Sequence, residues 1–252
     1  MMRKRISAVI ITRNEQDNIV AAIESLKFAD QIVVADTSSE DKTIELARAA
    51  GAEVYDIPFD GYGAAKNKAI EFCTGDWIFS IDADERVTPE LAQSIMTSIE
   101  RENGIACYAA NRLTYFLGRP IKHSGWFPDY VVRLFKKGRR FSEKRVHESL
   151  EATGDVGKLS GLLLHYSYTG LEQYIDKLNF YTTLNAGEMK REGKRGRTID
   201  MIFHPVAVFF KMFVFRAGIL DGAAGFLLAV LSSYHVFVKY AKLRQLTINE
   251  ER

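Results

Sequence analysis

The chain has 252 residues, 47% hydrophobic and 26% charged, enough to bury a full core without disulfide or metal staples. With 34 Lys and Arg against 32 Asp and Glu, the formal charge of +2 gives no ground for a nucleic-acid partner and leaves any basic function to local clusters. Two cysteines, Cys73 and Cys107, and a start that lacks signal-peptide regions point to a reducing, cytoplasmic setting.

Ser7 to Ile11 predicts a first strand, which empties into Thr12-Arg13-Asn14-Glu15; a bilayer span would need far more apolar residues. Asp17 to Phe28 follows as a helix, with Ile19, Ile23 and Leu26 on one face. Gln31 to Ala35 is a second strand closing on Asp36-Thr37-Ser38-Ser39, and Thr43 to Ala50 is a helix that Gly51 stops. A third strand, Glu53 to Ile57, ends before Pro58, and Gly61 to Phe72 is helical. Trp77 to Ile81 is a fourth strand running into Asp82-Ala83-Asp84-Glu85, before a helix from Pro89 with Thr88 as its N-cap.

This alternation predicts an α/β fold, a Rossmann-like, mostly parallel sheet flanked by helices. Ligands of such sheets sit at the carboxyl ends of the strands, so the residues after strands one, two and four should converge on one crevice. From about Cys107 to Tyr168 the pattern changes to short strands and turns rich in aromatics. Beyond Gly170 it becomes helical, with a basic run from Lys190 to Arg197 and an apolar region from Met201 to about Tyr240. We expect a main domain over residues 1–170, in halves 1–105 and 106–170, and a helical region over 171–252.

Asp82 and Asp84, one residue apart past a buried strand, repel each other unless something positive compensates. Hard oxygen ligands suit Mg or Mn, which would bridge to a diphosphate and neutralise charge on a departing nucleoside diphosphate. The competing reading is a solvated turn ahead of the Pro89 helix. Asp36 is placed to accept hydrogen bonds from a ribose or a base, or to cap its own loop. Neither a G-x-G-x-x-G turn nor a phosphate loop ending in Gly-Lys-Ser/Thr occurs, so hydride transfer and ATP hydrolysis lose support.

In order along the chain stand Ile10-Ile11-Thr12-Arg13-Asn14-Glu15, Val33-Val34-Ala35-Asp36-Thr37-Ser38-Ser39, Gly63-Ala64-Ala65-Lys66-Asn67 and Ile81-Asp82-Ala83-Asp84-Glu85. On this set the chain resembles the family 2 inverting glycosyltransferases. Val146-His147-Glu148, Leu164-His165-Tyr166-Ser167-Tyr168 and Gly218-Ile219-Leu220-Asp221-Gly222 narrow the likeness to lipopolysaccharide core β-1,4-glucosyltransferases, which add glucose to the first heptose. The resemblance implies a GT-A fold, a UDP-sugar donor, a divalent metal and inversion at the anomeric carbon. It implies that Thr12, Arg13, Asn14, Glu15 and Asp36 cradle the uridine and that Lys66 and Asn67 lie near the nucleotide. Asp82, Ala83 and Asp84 would line the donor, with Asp82 facing ribose and metal and Asp84 ligating the metal. Many family 2 enzymes share such a donor half, so another envelope glycan or a lipid-linked acceptor stays open, as does a silent sugar-nucleotide-binding scaffold.

Inversion by direct displacement needs a carboxylate base near the acceptor hydroxyl, and Glu148 stands where the family places it. His165, after Leu162-Leu163-Leu164, is a candidate third metal ligand or a buried structural histidine. Trp126 and Asp129 suit stacking and hydrogen bonding to an acceptor sugar, and Arg133, with Lys136, Lys137, Arg139 and Arg140, suits acceptor phosphates.

Met201 to Phe215 is interrupted by His204, Pro205 and Lys211, and Gly222 to Val238 carries Ser232, Ser233 and His235, so neither reads as a comfortable bilayer span. With Lys190, Arg191, Lys194, Arg195, Arg197, Lys239, Lys242 and Arg244 around them, they read as helices lying on an anionic membrane surface. That places the chain on the cytoplasmic face of the inner membrane. A helical hairpin packed on the domain, or a homo-oligomer interface, is the alternative use of the same residues.

Overall fold

The computed structural model describes residues 3–101, 103–142, 150, 154–168 and 170–248. Two compact units emerge, Met1–Arg112 with Asp129–His165, and Leu113–Pro128 with Tyr166–Arg252. The stretch 113–128 thus groups with the helices that follow residue 170, where the sequence suggested one boundary near 170.

In the first unit, β1 (Ile6–Thr12), β2 (Gln31–Asp36), β3 (Glu53–Asp56) and β4 (Trp77–Asp82) alternate with α1 (Ile19–Ser25), α2 (Thr43–Ala49) and α3 (Tyr62–Glu71). β1 pairs in parallel with both β2 and β4, and β2 pairs in parallel with β3. Near-continuous buried residues, mostly apolar, in β1, β2 and β4 follow from helices covering both faces, which leaves no solvent side for polar residues to occupy. Ile10, Val34, Phe79 and Ile81 lie in the core against α1, and Val9, Val33 and Ala35 face the α3 side.

The remaining strands are β5 (Glu85–Val87), β6 (Cys107–Phe116), β7 (Arg119–Pro120), β8 (Asp129–Lys136) and β9 (Val156–Tyr168), with α4 (Pro89–Glu100) between β5 and β6. Sheet order is β3-β2-β1-β4-β8-β6-β9-β5, with β7 on β6. β8 runs antiparallel to β4 and β6, and β5 antiparallel to β9. The sheet is therefore mixed rather than mostly parallel. A parallel neighbour needs a long crossover, usually a helix, and among the described residues the chain after α4 has none until residue 171.

One irregularity positions a side chain. Leu134 pairs with Tyr108 and Val132 with Ala109, so Arg133 has no counterpart on β6. This bulge re-aims Arg133 away from the strand's simple alternation. A second device locks β9 to α4. Thr88 caps α4 by accepting from Leu91 N, donates its hydroxyl to Leu162 O and accepts from Leu162 N.

The second unit holds α5 (Leu171–Arg191), α6 (Thr198–Phe210) and α7 (Gly222–Ile248), joined after α6 by a π-helical turn, Lys211–Phe215, and a 3-10 turn, Gly218–Asp221. Phe116, Ile121, Tyr174, Leu178, Leu228 and Leu231 form its core, with Trp126 and Tyr168 against them. Asp221 ties stretch 113–128 to the hairpin, accepting from the backbone N–H of Lys122 and His123 at 3.1 and 3.0 Å and pairing with His123 Nδ1 at 2.9 Å.

The interrupting residues do not end the helices. Helix runs through Pro205 and Lys211, giving an apolar stretch of 18 residues over Thr198–Phe215 and one of 31 over Gly218–Ile248, both long enough to cross a bilayer. This corrects the shorter lengths expected from composition. Ile199, Ile202, Phe203, Val206 and Phe210 form an exposed row at helical spacing on α6, and Phe226, Val230, Tyr234 and Phe237 form another on α7.

Gly161 lies in β9 with φ at +84°, and a Cβ there would lie 2.7 Å from the Cα of Leu91. Gly161→Ala therefore combines left-handed backbone with overpacking, and we expect a loss of about 2–4 kcal/mol, read by urea unfolding. A change under half a kcal/mol would contradict the close β9–α4 approach.

Candidate active site

Parallel register brings the ends of three strands together. Thr12 pairs with Asp36, and Ile11 with Asp82, so these residues share one edge of the sheet. The loops after β1 and β2 are sewn to each other: Thr37 N donates to Thr12 O, Asn14 N to Ser39 Oγ, Glu40 N to Asn14 Oδ1 and Glu15 N to Thr43 Oγ1. Asn14 and Ser38 adopt positive φ, 54° and 66°, to make these turns. Arg13 and Asn14 are exposed, whereas the buried Thr12 Oγ1 has no hydrogen-bond partner among the described residues. Asp36 is buried and accepts from Ser39 N at 2.7 Å and Ser39 Oγ at 2.5 Å, so its carboxylate organises its own loop.

At the end of β4, one Nη2 of the buried Arg133 lies 2.7 Å from Asp82 Oδ2 and 2.6 Å from Glu85 Oε1. Lys66 of α3 approaches the other Asp82 oxygen at 3.7 Å and lies over the Phe141 ring. Glu85 is fully buried; its second oxygen accepts from Asp82 N at 3.0 Å, and Arg112 stands 3.6 Å from the first. Burial works to raise the Asp82 carboxyl, but the charges of Arg133 and Lys66 outweigh it and hold the group below the ordinary carboxylate range. For Glu85 burial prevails over Arg133, and the Asp82 charge adds to it, so this carboxyl is raised. Asp82 is thus the member of the pair that carries the negative charge most firmly.

Asp84 points elsewhere. The β5–β9 pairing sets Glu85 opposite His165, and His165 Nε2 lies 3.3 Å from Asp84 Oδ2, both side chains more than four-fifths shielded. Arg86 holds the turn from behind, donating to Ala83 O and Glu85 O and to Asn18 Oδ1 at the start of α1. Among the described residues no three His, Cys, Asp or Glu side chains gather as a preformed cation cage. One oxygen and one imidazole nitrogen side by side nevertheless fit two positions on one Mn or Mg ion, with the rest left for phosphate oxygens and water.

Other predicted residues take defined places. Asn67 uses both ends of its amide on the Phe141 backbone, donating to the carbonyl at 2.9 Å and accepting from the N–H at 2.7 Å. Asp129 receives Arg112 through Nε and Nη2 at 2.9 and 2.8 Å. Trp126 packs edge-on against Phe116 and beside Tyr168 in the second unit. Arg133, expected to meet acceptor phosphates, is the buried counter-ion of Asp82 and Glu85 instead. His147 and Glu148 lie outside the described residues. Sequence reading missed the burial of Glu85 and the roles of Arg86 and Arg112. The available signal was Glu85 itself, a third carboxylate directly after the aspartates.

Carboxylates and a histidine gathered where the parallel strands end, on a GT-A-like mixed sheet flanked by helices, belong to a glycosyltransferase. The chain is a member of glycosyltransferase family 2, whose model, Glycosyl transferase family 2, matches residues 7–158. It is 31% identical over 262 residues to an uncharacterized glycosyltransferase of Rickettsia prowazekii, covering 98% of this chain and 89% of that one. It is 33% identical over 254 residues to the lipopolysaccharide core biosynthesis glycosyltransferase LpsC of Rhizobium meliloti, covering 95% and 92%. Among solved structures it is similar to glucosyl-3-phosphoglycerate synthase of Mycobacterium tuberculosis in complex with Mn2+, UDP and glucosyl-3-phosphoglycerate, at 25% identity and a TM-score of 0.39. That match covers 44% of each chain, so less than half of the solved structure is spanned.

Arg133→Met removes the one cation shared by two carboxylates, and we expect stability to fall by about 3–5 kcal/mol, measured by urea denaturation. Arg133→Lys should restore only part of it, because an ammonium on a shorter side chain must reach the two oxygens that the guanidinium Nη2 now meets. Equal stability of wild type and Arg133→Met would refute the shared-counter-ion assignment.

Proposed function

We propose that this chain transfers a sugar, glucose in our reading, from a UDP-sugar to the inner-core heptose of lipopolysaccharide, with inversion at the anomeric carbon. The observation that carries the reading is the Asp84–His165 pair, 3.3 Å apart beside the charged Asp82 at the end of β4. The core-biosynthesis relative, matched over nearly the full length of both chains, supports the acceptor class.

In this reading Asp84 and His165 hold a divalent metal, Mg or Mn, with Asp82 beside them. When bound, the metal neutralises charge on the departing UDP. Thr12 to Glu15 and Asp36 frame the uridine pocket, the buried Thr12 hydroxyl offering a hydrogen bond that no described residue takes. Lys66, held near Asp82, adds positive charge where the diphosphate would lie. Glu148 takes the proton from the acceptor hydroxyl as it attacks, and Asp129 contacts the acceptor. The exposed apolar rows of α6 and α7 rest on the cytoplasmic face of the inner membrane, with basic residues toward anionic lipid.

A screen of UDP-sugars with a deacylated, heptose-terminated core, read by UDP release, should show metal-dependent transfer with UDP-glucose preferred. Asp84→Ala should lower kcat by about 100-fold or more while far-ultraviolet dichroism stays unchanged. Undiminished turnover in that variant would remove the metal assignment. UDP binding without transfer to any acceptor would favour a scaffold.

A further inference from the structure

Arg112 reaches two carboxylates at once. The β6–β8 register sets it opposite Asp129, a cross-strand position at which opposite charges attract. It meets a single oxygen of that residue, Asp129 Oδ2, twice, through Nε at 2.9 Å and Nη2 at 2.8 Å. The remaining nitrogen, Nη1, stands 3.6 Å from Oε1 of the fully buried Glu85. A planar guanidinium engaged on both edges has little freedom to turn, so the Asp129 carboxylate is held in one orientation. Its backbone is fixed as well, because Asp129 N donates to Asn111 Oδ1 at 3.1 Å.

One oxygen is left over. Among the described residues Asp129 Oδ1 receives no hydrogen bond, and the side chain is 36% exposed. A simple surface ion pair contributes little and has no need of a second, buried carboxylate to brace the cation. The place of the pair in the sheet gives the free oxygen a use. Past the Phe79–Leu134 pair, β4 runs on to Asp82 and β8 to Asp129, so both residues stand at the same edge of the sheet. Arg112 connects them through Glu85, whose Oε1 also receives Arg133, the partner of Asp82.

The charge of Arg112 disfavours a cation at Asp129 Oδ1, whereas a hydroxyl can donate to it without bringing further charge. We propose that Arg112 is a positioning residue for sugar transfer: it holds Asp129 Oδ2 so that Oδ1 accepts from a hydroxyl of the acceptor sugar. The proposal rests on the reading of Asp129 as an acceptor contact. It assigns the braced geometry of the Arg112 fork to acceptor recognition, with the donor bound independently of it.

The test is a double-mutant cycle on the full chain, with UDP-glucose as donor and the deacylated, heptose-terminated core as acceptor. Arg112→Lys keeps a cation beside Glu85 and loses the fork, and UDP calorimetry verifies that each variant is folded. Asp129→Ala should raise the acceptor KM by about tenfold, in the range for a hydrogen bond to a charged group. Arg112→Lys should raise it by about fivefold, and the double variant should match Asp129→Ala, since Arg112 acts only through that carboxylate. In all three, kcat and the KM for UDP-glucose should stay within twofold of wild type. Multiplied effects in the double variant, or an equal rise in the KM for UDP-glucose, would give Arg112 a merely structural role and overturn the proposal while leaving Asp129 as an acceptor contact. An unchanged acceptor KM in Asp129→Ala, or no transfer to this core by wild type that still binds UDP, overturns the acceptor reading and the proposal with it.

Discussion

Two carboxylates converging on a buried edge of a sheet are a problem that Arg133 solves. An uncompensated charge in such a place costs several kcal/mol, a large share of the roughly 5–15 kcal/mol that holds a domain folded. The β8 bulge delivers the guanidinium to Asp82 and Glu85 at once, and Glu85 in turn accepts from Asp82 N. That closed turn leaves Asp84 to meet His165, which the β5–β9 pairing has set across from Glu85. The geometry at the end of β4 is thus a consequence of one cation placed by one irregular strand.

The parallel half of the fold was legible because it is written in local runs. Three apolar strands, β1, β2 and β4, each empty into polar residues, and register alone then aligns Thr12, Asp36 and Asp82. Thr88 was readable as a cap for the same reason, a hydroxyl just before Pro89. What stayed hidden depends on distant partners. Arg133 stands ahead of Lys136, Lys137, Arg139 and Arg140 and looks like part of a solvated basic run until the bulge is seen. Asn67 looks like a nucleotide contact until Phe141, 74 residues away, takes both ends of its amide. The antiparallel strands were blurred because their partners lie far along the chain, and periodicity does not encode pairing.

The helical region shows a different gap between sequence and fold. His204, Pro205 and Lys211 are read as interruptions when each residue is weighed alone, yet the helix continues through them. A single proline removes one backbone bond and leaves the rest of the ladder to carry the helix. His204 is retained by stacking on Tyr240 and by its approach to Asp200, so a polar residue inside an apolar stretch has a structural place. The basic turn at Gly196 rests on the Arg244 backbone of α7.

Asp221 collects donors from Lys122 and His123, some 98 residues earlier in the chain, and thereby makes stretch 113–128 and the α6–α7 hairpin one structural inheritance. Loss of the Asp221 carboxylate would leave two amide hydrogens and an imidazole without this acceptor. The stretch and the hairpin are therefore held as one piece by a single side chain, although nearly a hundred residues separate them in the sequence.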